Sequence, residues 1–172
     1  STSSAASDVY KRQTIDEVTY NNLIINGNDD TDIKTASGTT LDVNGNLTIT
    51  NGKLLMDAGM TLDLEGDFSM AAGGAFDAGT STTHTVGGSW AETAVSTFTS
   101  NSGKFTFEAL LGDITITTNN NFHDLSINTG GNNVSAAAAL TVDNDFTMEA
   151  ANTGNFSTCL LYTSPSPRDC RL

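Results

Sequence analysis

The chain has 172 residues, of which 20 are acidic and 7 are basic, and its formal net charge is −13. This acidity disfavours binding to nucleic acid, which depends on Lys and Arg contacts to phosphate, and it equally disfavours adsorption to anionic membrane surfaces. The sequence contains no apolar run long enough to predict a membrane-spanning helix.

The two ends of the chain look like translations of the two complementary strands of one DNA element. Residues 7–13 (SDVYKRQ) can be encoded by TCAGATGTGTATAAGAGACAG, and the reverse complement of that sequence, read from its second base, encodes CLLYTS. That peptide stands at residues 159–164. The element resembles the transposase mosaic end that is used to fragment DNA for sequencing. We therefore predict that residues 1–13 and 159–172 are adaptor-derived and not native.

Excluding these ends leaves one segment, residues 14–158, with a different inventory. The ends contain four of the 7 basic residues, two of the 20 acidic residues, both Cys and both Pro. The segment therefore has three Lys against 18 acidic residues, a formal charge of −15, and no Cys, Arg or Pro. Such a balance suits solubility at high salt or the binding of divalent cations, and it leaves no disulfide to predict.

The first motif that could bind a ligand follows a short apolar stretch, Leu23–Ile25. Asn28, Asp29, Asp30 and Asp32 carry oxygen atoms of the kind that Ca²⁺ prefers as ligands, so they form a candidate calcium site. The cluster lacks the Gly and Glu positions of an EF-hand loop. The alternative is a solvated acidic turn between two strands.

A repeat begins at Thr40 and sets the spacing of the elements that follow. Residues 40–49 (TLDVNGNLTI) match residues 61–70 (TLDLEGDFSM) at an offset of 21, and residues 57–59 (DAG) match residues 77–79 at an offset of 20. The 21-residue register continues through three glycines, Gly45, Gly66 and Gly87. A period near 20 residues is typical of solenoid architectures.

Within each repeat, apolar and polar residues alternate. Because side chains i and i+2 of a strand share a face, each apolar pair is predicted to point inward, with Asp, Ser or Thr pointing outward. The clearest pairs are Leu41/Val43, Leu47/Ile49, Leu62/Leu64, Phe68/Met70, Ile114/Ile116, Leu125/Ile127, Leu140/Val142 and Phe146/Met148. Between them lie Asn-Gly and Gly-Asp steps, which tolerate the positive φ of sharp corners.

We predict an all-β fold, a right-handed parallel β-solenoid with three sides and about 20–22 residues per coil, over residues 14–158. The strands start too close together for crossover helices between them. An antiparallel β-sandwich is the alternative, since its strands also alternate, but it carries no fixed repeat. The solenoid places Leu41 directly beside Leu62 and Asp42 beside Asp63 on neighbouring coils.

Few other side chains in the segment suggest a catalytic or ligand-binding role. His84 and His123 have no Cys partner and no regular ligand spacing, so we expect both at the surface. Trp90 is the single Trp and the candidate carbohydrate-binding residue, because an exposed indole can stack on a sugar ring. Burial in the core is the commoner fate of such an aromatic.

Residues 41–50 (LDVNGNLTIT) and 122–128 (FHDLSIN) resemble repeats of large secreted bacterial surface proteins. Such repeats occur in the β-helical stalks of adhesin-like and autotransporter-like proteins, and the resemblance covers about Val18 to Ser157. It implies export, an extracellular or cell-surface location, and a scaffold or adhesive role. The partners it implies are cell-surface glycans, neighbouring cells and further coils of the same parent chain.

The predicted function is a non-catalytic structural or adhesive repeat segment. Two alternatives are the non-catalytic coils of a β-helix polysaccharide-active enzyme and a carbohydrate-binding module. Pectin-active β-helix enzymes pair Asp with Arg or Lys in a cleft, whereas this segment has no Arg and three scattered Lys residues. We expect no enzymatic activity, no catalytic residue, no nucleic-acid partner, no membrane insertion, and no cofactor other than the candidate Ca²⁺.

Overall fold

The computed structural model of the chain describes residues 12–29, 31–80, 83–150, 152–157 and 160–162, the last three as main chain only. Every regular element in this part of the chain is a β-strand. In chain order the strands are β1 (Arg12–Ile15), β2 (Leu23–Asn26), β3 (Ile33–Ala36), β4 (Thr40–Val43), β5 (Leu47–Met56), β6 (Thr61–Leu64), β7 (Phe68–Met70), β8 (Gly74–Asp77), β9 (His84–Val86), β10 (Trp90–Glu92), β11 (Thr97–Thr99), β12 (Lys104–Phe107), β13 (Ile114–Thr117), β14 (Phe122–Ile127), β15 (Val134–Ala136), β16 (Leu140–Met148), β17 (Phe156–Ser157) and β18 (Leu160–Tyr162).

The strands form three faces that recur in a fixed order along the chain, here named sheets A, B and C. Sheet A contains β1, β3, the second half of β5, β8 and β11. Sheet B contains β4, β6, β9, β12, β14, β16 and β18, and sheet C contains β2, the first half of β5, β7, β10, β13, β15 and β17. The pairing is parallel throughout, and the seven-stranded sheet B counts seven turns. The predicted parallel β-solenoid is therefore confirmed, and the sandwich is not favoured.

The register between coils follows the sequence repeat at its centre and departs from it elsewhere. Leu41 pairs with Leu62, 21 residues on, as predicted. Other turns range from 20 residues, where Ile33 pairs with Lys53, to 26 residues, where Trp90 pairs with Ile116. Because ladder hydrogen bonds hold the strands in step, the extra residues leave the coil at its corners.

Two short sequence matches do not correspond to structural neighbours. The DAG match at an offset of 20 is out of register, because Asp77 pairs with Leu55 at an offset of 22. The glycine column is also displaced by one residue after the second coil. A Cβ on Gly88, rather than on Gly87, would lie 2.5 Å from the carbonyl oxygen of Gly66. One extra residue at a corner explains the glycine displacement, whereas the DAG match lies two residues out of register.

The interior of the solenoid is a continuous apolar ladder. In β4 to β8, inward side chains alternate with half-buried or exposed outward ones. Fully buried members include Leu41, Val43, Leu47, Ile49, Leu54, Leu62, Phe68, Phe105, Phe107 and Phe122. Burying one such side chain stabilises the fold by roughly 1.5–3 kcal/mol, so the ladder is the main source of stability.

The cross-section changes after β11, the fifth strand of sheet A. Sheet A ends at β11 within the described residues, while sheets B and C continue. From there only residues 118–121 connect β13 to β14, and only residues 137–139 connect β15 to β16. The third side of the solenoid is reduced to a short corner in its last turns.

Parts of the predicted adaptor segments extend these sheets. Arg12 and Gln13 lie in β1 and pair with β3, and β18 pairs with β16. The other residues of 1–13 and 159–172 lie outside the described residues. Main-chain pairing is open to any sequence that keeps an extended backbone, so the adaptor origin of both ends stays a prediction about the coding DNA.

Candidate functional site

A groove of about 960 Å³ runs along sheet A. Its floor follows one outward column across five coils, Arg12, Ile33, Lys53, Ala75 and Thr97, in which each residue pairs with the next. The corners between sheets C and A form one wall, through Asn28, Asp29, Thr31, Asn51, Gly73, Gly74 and Val95. This wall includes part of the predicted calcium cluster.

The corner loop, defined as residues 27–32, uses its acidic side chains to hold its own backbone. Asp32 is buried, and its Oδ2 accepts the N–H of Asn28 at 2.6 Å. Oδ1 of Asp29 accepts the N–H of Thr31 at 2.9 Å. Asp30 lies outside the described residues. The described members of the predicted calcium site thus share one loop, while Asp32 points inward and Asn28 and Asp29 lie at the groove wall.

One ion pair lies beside the floor of the groove. Nζ of Lys53 lies 3.2 Å from Oδ2 of Asp77 across the coil boundary. Burial raises the pKa of Asp77, but hydrogen bonds from Asn101 and Lys53 outweigh it and leave the pKa below its usual value. No group of three or more His, Cys, Asp or Glu side chains among the described residues is arranged to hold a metal. The polar groups of the groove are amides and hydroxyls, the charged side chains of Arg12 and Asp29, and Lys53, which is paired with Asp77.

Trp90 lies in the core and not on the groove. Its ring is fully buried and stacks on Phe68 with centroids 3.8 Å apart. Nε1 donates to Oε1 of the buried Glu92 at 2.5 Å, and the other oxygen of Glu92 accepts Nδ2 of Asn120 at 2.6 Å. Burial, the commoner fate expected for this residue, is what the structure shows. Trp90 therefore presents no ring face to a sugar and instead fills the 26-residue turn.

The expectation that both histidines lie at the surface is wrong for His84. His84 occupies the inward position between Leu62 and Phe105 and is fully buried, with its ring 4.5 Å from that of Phe105. Its Nδ1 accepts the N–H of Leu62 at 3.1 Å, and its Nε2 has no hydrogen-bond partner in the described part of the chain. Burial lowers the pKa of His84 to about 4. His123 is half-buried beside Asp124.

The predicted stacking of Asp42 on Asp63 is confirmed. Two adjacent carboxylates on neighbouring strands repel each other. Each one accepts a hydroxyl from the coil on its far side, Asp42 from Thr19 and Asp63 from Thr85, both at 2.6 Å. The hydroxyls stabilise the two charges, and the two carboxylates lie between the threonines in one polar column on sheet B.

A polar ladder at the corner between sheets B and C was not predicted from the sequence. In most coils the side-chain oxygen of the residue just before a sheet C strand accepts the main-chain N–H of its counterpart one coil on. The bonds join Asn22 to Asn46 at 2.8 Å, Asn46 to Asp67 at 3.0 Å, Asp67 to Ser89 at 2.7 Å, Asp113 to Asn133 at 2.7 Å and Asn133 to Asn155 at 3.0 Å. Hydrogen bonds from Asn133 lower the pKa of Asp113. The available signal was an Asn, Asp or Ser immediately before every sheet C strand.

Comparison with known proteins found no matching family model, no matching curated protein and no matching solved structure. No described segment forms a helix that is long and apolar enough to cross a membrane. The geometry of the site is that of an open groove of mixed polar and apolar lining, on a solenoid whose corner side chains bond mainly to neighbouring coils.

Proposed function

We propose that the chain is a non-catalytic structural or adhesive repeat segment of a large exported bacterial surface protein. The observation that carries this proposal is the continuous parallel pairing of sheet B, in which β4, β6, β9, β12, β14 and β16 stack over one apolar ladder. A stack of this kind forms a stiff rod, because bending it would break ladder hydrogen bonds and expose buried side chains. With strands about 4.8 Å apart, seven turns span roughly 34 Å.

The placement of the polar side chains also supports a structural role. Asn and Asp residues at the corners accept main-chain N–H groups of the next coil, so they fasten the coils to one another. Asp42 and Asp63 face threonine hydroxyls rather than a basic residue. In this proposal the acidic exterior keeps the rod soluble and separate from its neighbours.

The carbohydrate-related alternatives rest on the groove along sheet A. Lys53 and the corner amides Asn28 and Asn51 lie along it, and such groups hydrogen-bond sugar hydroxyls or carboxylates. If the groove binds glycans, the segment serves either as the adhesive part of the surface protein or as non-catalytic coils of a polysaccharide-active enzyme. An outward groove residue, and not Trp90, would then be the contact to test.

Single-molecule stretching of the chain tests the stalk. The proposal expects stepwise rupture of coils at forces well above those that extend a flexible polymer, and rupture at lower force in Leu62→Ala. Extension without rupture events would contradict it. Leu55→Ala is the matched control, because Leu55 is half-buried on the outward face.

Glycan-array binding and polysaccharide degradation assays separate the remaining possibilities. Binding that Lys53→Ala abolishes identifies an adhesive groove, whereas turnover of a polysaccharide overturns the non-catalytic assignment. The coding gene tests location: a secretion signal upstream and an anchor domain downstream in one reading frame are expected. A catalytic domain in that frame would favour the enzyme alternative.

A further inference from the structure

Three Asn-Gly steps lie at corners of the solenoid: Asn26-Gly27, Asn44-Gly45 and Asn51-Gly52. An Asn followed by Gly is chemically labile, because Gly has no Cβ to keep its main-chain nitrogen away from the Asn side-chain carbonyl carbon. The three steps share this composition but differ in hydrogen bonding. That difference decides which of them can react in the folded chain.

Two of the steps are held by hydrogen bonds. The N–H of Gly27 donates to the main-chain oxygen of Asn51 at 2.8 Å. The carboxamide of Asn51 is fixed at both ends, since its Nδ2 donates to the carbonyl of Asn28 at 2.8 Å and its Oδ1 accepts the N–H of Gly52 at 2.9 Å. Attack of either glycine nitrogen on its neighbouring side chain requires one of these bonds to break.

The step at Asn44 and Gly45 has no such protection. The side chain of Asn44 is exposed, and its carboxamide makes no hydrogen bond with another described residue. The N–H of Gly45 likewise donates to no group in the described part of the chain. The fold nevertheless demands glycine here, because a Cβ at position 45 would lie 2.1 Å from the main-chain oxygen of Asn21. Tight stacking of coils therefore fixes the reactive dipeptide in place.

We propose that Asn44 is a site of spontaneous deamidation in the folded protein. The main-chain nitrogen of Gly45 attacks Cγ of Asn44, the bond between Cγ and Nδ2 breaks, and the amide proton leaves with Nδ2 as ammonia. Water then adds to either carbonyl of the resulting succinimide and opens the ring. The product at position 44 is aspartate or isoaspartate.

The isoaspartate product alters the stacking of the first coils. It inserts a methylene group into the main chain between two hydrogen bonds to neighbouring coils. These are the bond from the N–H of Asn44 to the oxygen of Tyr20 at 2.8 Å and the bond from the N–H of Gly66 to the oxygen of Gly45 at 3.1 Å. Both bonds cannot keep their geometry around a longer backbone. Either product also adds a negative charge to a column that already contains Glu65.

Peptide mass spectrometry of the aged protein tests the proposal. After days at mildly alkaline pH and 37 °C, the peptide that contains Asn44 gains the mass of an acid in place of an amide, and an isoaspartyl methyltransferase labels it. The rate at Asn44 is expected to exceed the rates at Asn26 and Asn51 at least about fivefold, the protection expected of one hydrogen bond. In denaturing urea the three rates converge.

The matched control comes from the repeat itself, because Glu65 precedes Gly66 one coil on. Asn44→Glu therefore keeps the corner and removes the reactive amide, and it is expected to abolish methyltransferase labelling of this peptide. Equal rates at the three steps in the folded protein, or a slower rate at Asn44 than at Asn26 and Asn51, would overturn the proposal.

Discussion

His84 is expected to make the solenoid sensitive to acid. Its imidazole takes the place of a main-chain acceptor for the N–H of Leu62 and packs against Phe105 inside the apolar ladder. Protonation would put a hydrogen on Nδ1, remove that acceptor and place a charge among aromatic rings. The neutral form is therefore strongly favoured in the folded state.

The magnitude follows from linkage between protonation and folding. Burial lowers the pKa of His84 from 6.5 to about 4, so the unfolded chain binds the proton more readily. The stabilisation is fully present above the unfolded pKa and is lost as the pH falls toward the folded pKa. At about pH 5 the loss is about 2 kcal/mol, and below the folded pKa it reaches about 3 kcal/mol.

Urea unfolding at about pH 7.5 and at about pH 5 measures this loss. Asn is the informative substitution, because its Oδ1 can accept the N–H of Leu62 without titrating. His84→Asn is expected to lose about 2 kcal/mol less than the parent chain between the two pH values. Carboxylates such as Asp77, whose lowered pKa values also link stability to pH, contribute equally to both proteins and cancel. If His84→Asn and the parent lose the same stability between the two pH values, His84 is not buried and neutral as described.

Three further predictions concern the ladder, the corners and calcium. Leu54 is fully buried and Leu55 is half-buried, so Leu54→Ala should destabilise the chain by about 2–5 kcal/mol and Leu55→Ala by less than about 1 kcal/mol in urea titrations. Equal losses of stability would contradict the inward position of Leu54. A Cβ on Gly66 would meet a carbonyl at 2.5 Å, whereas one on Gly131 has its nearest neighbour at 3.7 Å. Gly66→Ala should therefore cost about 1–3 kcal/mol and Gly131→Ala should be neutral or slightly stabilising by thermal melts. If the corner loop binds Ca²⁺, the ion raises the Tm and Asp29→Asn removes the increase; a Tm that does not respond to Ca²⁺ rejects the site.

The central coils could be predicted because two independent signals coincide there. Apolar residues two apart indicate an inward face, and the 21-residue offset indicates which strands are neighbours. Both signals place Leu41 beside Leu62, as the structure does. The offset fails where a corner gains residues, by one before Gly88 and by several in the turn from Trp90 to Ile116. An insertion of this kind leaves no trace in the alternation of the strands on either side.

At His84 the prediction was wrong because the residue type was given more weight than the alternation pattern, which was correct. His84 and Val86 are two apart, like Leu62 and Leu64 on the preceding coil, so alternation alone places the histidine inside. The polar side chain favoured a surface position instead. Inside the solenoid its Nδ1 accepts the N–H of Leu62, a partner that can be recognised only when the strands have been aligned.

The corners, rather than the strands, carry the variation between coils of this chain. Strand pairs must remain in step because each coil supplies hydrogen-bond partners to the next. The extra residues of the 24-residue turn from Leu23 to Leu47 therefore lie in the corner loop, and those of the 26-residue turn lie in the protrusion at residues 108–113, where Leu111 is 80% exposed. Corner residues also form the groove wall and the Asn and Asp ladder. A change at a corner can thus alter the outer surface without disturbing the apolar ladder, provided that the close glycine contacts and the side-chain acceptors are kept.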